Sequence, residues 1–551
     1  MDGTLLDLLE KRSEELGSQT LYSFLDRHLS VRSTLSYAQL HQHSRSFAGV
    51  LQHEECDGQP VLIYCPHGPE FLLGFFACIL AGAWPVPVTR HRAQSAASLA
   101  LLLRDSGATT VVTTASRCKY LPQSLIQSRL RVLLIDDPVD QDRPYRRPVL
   151  SAEDTAFIQY TSGSTSSPKG VVISHANVLH NAETIRRGLG CTPDDIGVSW
   201  LPFHHDMGLI GHVIEPLYAG LQNYFLNPVD FVARPSRWLQ AIARVGGTLS
   251  GGPDFAFALA TQKTSERHLH GLTLDTWRLA YCGAEKIRPE TMAKFVQRFW
   301  PCGFRATSLF PCYGLAEATL LVSGHRGINT RTVTETGTTR PAVCLGRPAH
   351  ETTVLIADPA SGHVLADGEI GEVCVASASV ARCYYRNSPA SDKVFDSVVV
   401  DGKRFCRTGD RGFMYNQHLY LLGRYKNVIK RYGRSFHAED LEASIKEDLG
   451  TQFIGHCAAF STDDRDGDRL VVLLERSRSR KTAADATDRH LIVRARALVS
   501  NEFGLLVDDV RVLPAGSLPL TSSGKIRRGA CPDVYQLQDS EEMEAPNAAQ
   551  L

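Results

Sequence analysis

At 551 residues the chain exceeds what one hydrophobic core usually organises, and its 43% hydrophobic and 21% charged composition excludes a disordered, collagen-like or coiled-coil protein. Lys+Arg and Asp+Glu both number 59, so no net field draws the chain to nucleic acid or an acidic membrane. Fourteen cysteines, scattered from Cys56 to Cys531 without a CxxC pair, give neither a zinc spacing nor a secreted disulfide scaffold, and read as reduced thiols of a cytoplasmic protein.

The first segment, MDGTLLDLLEKRSEELG, has the pattern of an amphipathic helix and lacks the basic n-region and long apolar h-region of a signal peptide. Short β-rich runs, PVLIYC, TVVTT and RVLLID, then alternate with helical patterns over 36–51, 70–80 and 94–105. That alternation predicts a layered α/β region with largely parallel strands. The apolar stretch 71–88 has the length of a spanning helix, but Gly74, Gly82, Pro85 and Pro87 divide it into a buried helix, FLLGFFACILAG, and a strand, AWPVPV. No stable membrane insertion is expected. A connector, DDPVDQDRPYRRP, closes this block, and the same texture returns over 196–226 and 277–281.

From Thr352 the runs TTVLIAD, HVLADGEIGEVCVAS and FMYNQHLYLLG, punctuated by Gly and Asp, predict a β-rich subdomain over about 345–424. A helical pattern over 438–449 with the strands HCAAFS and RLVVLLE predicts a compact α+β domain over 425–535. The acidic stretch 536–551 is expected to be a loose tail, and no solenoid repeat is present. The fold class is therefore α/β: a large N-terminal layered region, 1–424, followed by a small α+β domain.

The strongest local signal is TSGSTSSPKG, with Thr161, Ser162, Gly163, Ser164, Thr165 and Lys169, between the apolar runs TAFIQY and VVISHANVLH. Small residues let backbone amides approach an anion, hydroxyls add donors and the lysine adds charge, as a phosphate-gripping loop requires. It is not the GxxxxGK[ST] loop, because Lys169 precedes Gly170 and no Ser or Thr follows the lysine; an ordinary Ser/Gly hairpin is the plain alternative.

Four more segments bear on that choice: WLPFHHDMGLIG at 200–211, PCYGLAEATLLVSG at 311–324, RTGD at 407–410 and LTSSGKIRR at 520–528. In this order and spacing they resemble the adenylate-forming superfamily of acyl-CoA synthetases, peptide-synthetase adenylation domains and luciferases. HDMGLIG, SGGPDFA at 250–256, YGLAEATLLVSG and GKIRR look most like fatty acyl-AMP ligases. The resemblance implies a nucleotide cleft in the large region and a mobile C-terminal lid. It also implies ATP and Mg2+, activation of a carboxylic acid to acyl-AMP with release of pyrophosphate, and acyl transfer to a nucleophile.

By the same resemblance Glu317 matches the magnesium-binding glutamate, a hard oxygen donor suited to a cation bridging phosphates. Tyr313, followed by Gly314, offers a face for adenine, with a packed core tyrosine as the alternative. Gly283, Ala284 and Glu285 match the loop beside the nucleotide, Asp410 the aspartate that grips the ribose diol, and Arg424 a second ribose or phosphate contact. Lys525 matches the lysine that enters the cleft during adenylation, and Lys426 the hinge that swings it out again. His205 matches a gate at the carboxylate end of the substrate, with Asp206 fixing local structure. The tandem His204-His205 is read as strand residues facing opposite ways, hence not a metal pair. Phe255, Ala256, Phe257 and Leu259, with Met207, Leu209 and Ile210, are candidate lining for an apolar acyl tunnel, or plain core.

The acceptor is less constrained. The motifs favour the phosphopantetheine thiol of an acyl carrier protein, as in polyketide or lipopeptide biosynthesis. Only 29 positions separate Glu317 from Gly346, however, short for the insertion that disfavours coenzyme A in these ligases. CoA and amine acceptors therefore stay open beside the carrier protein, and a non-catalytic nucleotide-binding regulator is the remaining alternative.

Overall fold

The computed structural model describes residues 3–88, 96–123, 130–137, 144–161, 168–335, 338–431, 434–450, 452–464, 467–477, 488–521 and 525–544. The large N-terminal domain is built on a nine-stranded sheet. In spatial order its strands are Arg347–Pro348, Leu321–Gly324, Leu309–Gly314, Leu279–Cys282, Leu249–Gly252, Ile196–Ser199, Gln222–Phe225, Thr20–Leu25 and Val31–Ser36. The strands from Leu309–Gly314 through Thr20–Leu25 run parallel, and antiparallel pairs close both edges. Their carboxyl ends share one rim, where open parallel sheets bind ligands.

A second, four-stranded parallel sheet orders Trp84–Pro87, Pro60–Tyr64, Thr110–Thr113 and Arg131–Leu134. All five residues of Pro60–Tyr64 are buried, as expected of a parallel strand covered on both faces. The apolar stretch divides as its glycines and prolines dictate. A helix spans Pro69–Ala81, with Pro69 in its first turn, and ends on Gly82 at φ 78°; the strand Trp84–Pro87 follows. Phe71, Phe75 and Phe76 of that helix are buried, each removal from water contributing about 2 kcal/mol. Among the described residues no helix is long and apolar enough to cross a membrane.

The β-rich subdomain is a sheet of Thr353–Ala357, Gly371–Ala376, Lys403–Tyr415 and Val398–Val400, with His418–Arg424 paired to Lys403–Tyr415. A tight turn, Tyr425–Asn427, then leads into the smaller C-terminal domain. There the strands Ile454–Asp464, Gly467–Arg476 and Asp509–Leu513 carry the helices Ala438–Leu449 and Asp488–Phe503 on a separate core that includes Phe436, Leu441, Val472 and Leu491.

The C-terminus departs from expectation. The helix Cys531–Glu544 runs into the stretch read as a loose tail, of which 545–551 lie outside the described residues. Cys531 and Tyr535 are buried on the C-terminal domain and seed the helix, and Gln, Glu and Met, all good helix formers, extend it. Acidic composition concealed that the helix continues over 536–544.

Candidate active site

The predicted residues among those described converge on the carboxyl rim of the large sheet and the adjoining face of the C-terminal domain. Leu279–Cys282 delivers Gly283, where a Cβ would stand 2.9 Å from the Cys312 carbonyl oxygen, so only glycine permits the approach. Ala284 takes a left-handed φ of 66°, and its carbonyl accepts a hydrogen bond from Lys525 Nζ across the domain boundary. Glu285 Oε1 accepts the Phe255 N–H at 2.7 Å, fixing the loop to the start of the helix Asp254–Lys263. Asp254 beside it is buried, and burial with the Glu285 charge pushes its carboxyl up to about 7.

The neighbouring strand, Leu309–Gly314, supplies Tyr313 and Gly314. Tyr313 is 6% exposed and donates its hydroxyl to Asp410 Oδ2 at 2.6 Å. Burial and the Asp410 charge raise its pKa, which keeps the phenol a donor. Tyr313 thus belongs to the hydrophobic core as well as to the site, and its polar contact is with the carboxylate expected to grip ribose. Asp410 and Arg424 are directly opposed on the hairpin Lys403–Tyr415/His418–Arg424, with Arg424 Nε 2.8 Å from Asp410 Oδ1. The Asp410 charge raises the Arg424 pKa further. A carboxylate has about four acceptor positions, so this one retains capacity for a diol.

Glu317 lies in the short turn Ala316–Ala318, and its Oε1 accepts the Tyr384 hydroxyl at 2.6 Å. Thr319, at φ 65°, bends the chain back and donates to the Ser379 carbonyl at 2.6 Å. Lys169 Nζ sits 4.9 Å from the centre of the Tyr384 ring, within cation–π range. Tyr384 thereby joins Lys169 to Glu317, the metal-binding candidate. The sequence reading missed it, for ARCYYRN has no periodicity or charge pattern that distinguishes one tyrosine of the pair. Thr161 and Lys169 end and begin the paired strands Thr155–Thr161 and Lys169–Ser174, while Ser162, Gly163, Ser164 and Thr165 lie outside the described residues.

Lys525 is held by a local bridge: its N–H donates to Thr521 Oγ1 at 3.0 Å and its carbonyl accepts the Thr521 N–H at 2.6 Å. Burial lowers the pKa of its ammonium, opposed by the Glu285, Asp206 and Asp410 carboxylates and reinforced by Arg424. Lys426, in the interdomain turn, falls to about 8 through burial and the neighbouring Arg424 charge.

His205 and Asp206 differ from the strand expected. His205 caps the short helix Asp206–Leu209, and His205 Nδ1 lies 2.6 Å from Asp206 Oδ1. Pro202 begins a turn here, with the His205 N–H bonded to the Pro202 carbonyl, so the alternating-face argument does not apply. Burial resists ionisation of Asp206, but His205, the Met207 N–H and Lys525 outweigh it and hold its carboxyl below the usual range. The tunnel candidates separate: Phe257 packs on Phe295 at 4.9 Å and Trp238 at 5.4 Å within a closed aromatic core, whereas Phe255 turns toward Trp200 at 6.0 Å. Phe257 is therefore core and not lining.

The large and small domains thus bring these side chains together where they meet. Residues 12–385 match the family model described as AMP-binding enzyme, and the chain belongs to that family. It is 33% identical to the medium-chain-fatty-acid–[acyl-carrier-protein] ligase JamA of Moorena producens, over 96% of this chain and 94% of that one. It is 32% identical to the long-chain-fatty-acid–AMP ligase FadD26 of Mycobacterium marinum, over 97% of each chain. Among solved structures, a fatty acyl-adenylate ligase from a study of the Escherichia coli and Legionella pneumophila enzymes superposes with a TM-score of 0.87 at 29% identity, covering 98% of each chain. The L. pneumophila enzyme in complex with acyl adenylate and pyrophosphate gives a TM-score of 0.75 at 31% identity, covering 97% of this chain and 96% of that one.

Proposed function

We propose that the protein uses ATP to convert a fatty acid to acyl-AMP, releasing pyrophosphate, and passes the acyl group to the phosphopantetheine thiol of an acyl carrier protein. The observation that carries this reading is the Lys525 ammonium, delivered by the C-terminal domain onto the Ala284 carbonyl beside Glu285 and Asp206. Attack of a carboxylate oxygen on the α-phosphorus forms the acyl–phosphate bond as the bond to the pyrophosphate oxygen breaks. Negative charge accumulates on the α-phosphate oxygens, and a preplaced ammonium stabilises it.

In this reading Asp410 and Arg424 hold the ribose, Tyr313 and the Gly283–Glu285 loop border the adenine, and Lys169 with the loop from Thr161 grips the phosphates. His205, steadied by Asp206, orients the incoming carboxylate. Glu317 fits a magnesium ion: Tyr384 occupies one carboxylate oxygen, and magnesium is commonly held by one or two carboxylates plus substrate phosphates. Bound there, the ion would neutralise phosphate charge. Lys426 serves as the hinge about which the C-terminal lid turns, carrying Lys525 out of the cleft before the thiol attacks the acyl carbonyl and AMP departs.

The acceptor assignment draws on JamA and on a 31% identical relative from Teredinibacter turnerae, both named as medium-chain acyl-carrier-protein ligases. The short Glu317–Gly346 stretch keeps coenzyme A as a second reading. Pyrophosphate release with a panel of fatty acids, followed by mass detection of products with holo carrier protein or CoA, tests both. Acyl carrier without acyl-CoA supports the proposal, acyl-CoA reassigns the acceptor, and absence of pyrophosphate with every acid refutes the activation step.

A further inference from the structure

The helix Pro228–Ala233 follows the strand Gln222–Phe225 at the carboxyl rim and turns only one large side chain inward. Phe231 is fully buried and stacks on Trp200 with ring centres 3.8 Å apart. Val229 and Val232, three positions apart and so on one face, stand 73% and 60% exposed. Elsewhere the large exposed apolar side chains among the described residues are scattered along the chain, and single ones need no explanation. The helix that carries this pair is joined to the reaction centre by a relay of packed side chains: Phe231 stacks on Trp200, Trp200 faces Phe255, and the Phe255 N–H is bonded to Glu285, whose charge acts on Lys525.

The surroundings of the two valines are basic. Arg234 ends the helix exposed, and Arg267 is exposed on the neighbouring helix Glu266–Leu269. Burial lowers the pKa of His268, and the charges of Arg267 and Arg234 are both near enough to lower it further. The nearby carboxylates are already engaged, Asp230 with Arg237 at 3.6 Å and Glu266 with Arg298 at 2.6 Å. Among the described residues neither Arg234 nor Arg267 has a carboxylate partner. The result is a small apolar ridge with uncompensated positive charge on a protein whose net charge is zero.

We propose that the Val229/Val232 ridge with Arg234 and Arg267 is the docking surface for the acyl carrier protein. The inference rests on the carrier reading above and locates its partner. A carrier domain is small, helical and acidic, and its thiol is tethered by a flexible arm. It must therefore seat on the rim next to the adenylate, where basic residues steer its approach and an apolar contact holds it. A free thiol needs no such seat, and that difference supplies the test.

The full-length Arg234→Glu/Arg267→Glu double variant and Val229→Asp are compared with the wild type in three assays: pyrophosphate release, acyl transfer to free pantetheine, and acyl transfer to a holo acyl carrier protein. The expected result is unchanged pyrophosphate release and pantetheine acylation, with KM for the carrier raised about tenfold or more. Acidic-to-basic reversals on the carrier should recover part of the loss with the double variant but not with Val229→Asp. Wild-type carrier kinetics in all variants overturn the docking surface alone. Equal loss with pantetheine and carrier overturns it as a structural effect. A wild-type enzyme that acylates pantetheine or CoA but no carrier overturns the carrier reading together with the surface. Concentration-dependent dimerisation abolished by Val229→Asp, with carrier kinetics unchanged, assigns the ridge to self-association instead.

Discussion

The two sides of the cleft are built differently. On the large domain each candidate site carboxylate is tied to partners within that domain: Asp410 to Tyr313 and Arg424, Glu317 to Tyr384, Glu285 to the Phe255 N–H. The C-terminal domain contributes Lys525, whose ammonium bonds to a backbone carbonyl of the other domain, and the ion pairs Asp440–Lys286 and Glu447–Lys294. Lys294 and Glu447 are 63% and 77% exposed, and exposed pairs contribute about 0–1 kcal/mol. One wall is preorganised, and the other is attached through a few polar contacts, of which Lys294–Glu447 is exposed and Lys286–Asp440 is largely buried.

Removing the lid's charge should have the largest effect. Lys525→Ala is expected to slow pyrophosphate release by about a hundredfold or more, while supplied acyl-AMP is still transferred. Equal loss in both half-reactions would deny the lid a step-specific role. Lys426→Pro comes next: fixing the backbone of the Tyr425–Asn427 turn should spare adenylate formation and slow transfer by about tenfold. A variant unable to form adenylate would show that the turn is rigid scaffold.

On the preorganised wall, Tyr384→Phe keeps the ring under Lys169 and removes the hydrogen bond to Glu317. It should slow pyrophosphate release about tenfold or more, a bond to a charged group contributing roughly 1.5 to 3 kcal/mol, and raise the magnesium concentration giving half-maximal rate. Tyr384→Leu should add a rise in KM for ATP by freeing Lys169. Unchanged magnesium dependence in the Phe variant would reduce Tyr384 to packing.

Much of this arrangement is legible in the chain. The Gly82 stop after Pro69–Ala81 follows from local rules, as does the helix Ala438–Leu449, whose bounds coincide with its hydrophobic pattern. Motif resemblance picked out Lys525, Glu317, Asp410 and Arg424, which meet in space although Glu317 and Lys525 are more than two hundred positions apart. What escaped depends on tertiary partners. Tyr384 matters because a strand bridge to Val171 carries it to Glu317 and Lys169, and a tyrosine in a YY pair carries no such mark. The turn at His204-His205 depends on how Pro202 closes it, and the role of Phe257 on three aromatic neighbours distant in sequence.

The smallest effect is also the one that separates strain from attachment. Asp254 begins the helix Asp254–Lys263 on the preorganised wall, accepting the Arg288 N–H at 2.9 Å and the Thr291 hydroxyl at 3.1 Å. Burial and Glu285 raise its pKa to about 7 from a reference of 3.8. Because the folded value is the higher, the protonated carboxyl's contribution to stability is full below the reference value and is lost as pH rises through about 7. Asp254→Asn preserves the acceptor for Arg288 and cannot ionise. Thermal unfolding should show its advantage over wild type growing between about pH 4 and about pH 7 and levelling above, by on the order of 1 kcal/mol once relaxation around the Arg288 guanidinium is allowed for. If the advantage does not grow, Asp254 ionises as an ordinary carboxylate, and the rigidity of this wall comes from its hydrogen bonds without an electrostatic cost. If it grows, the wall that holds Glu285 near Lys525 keeps Asp254 under the combined cost of burial and the Glu285 charge.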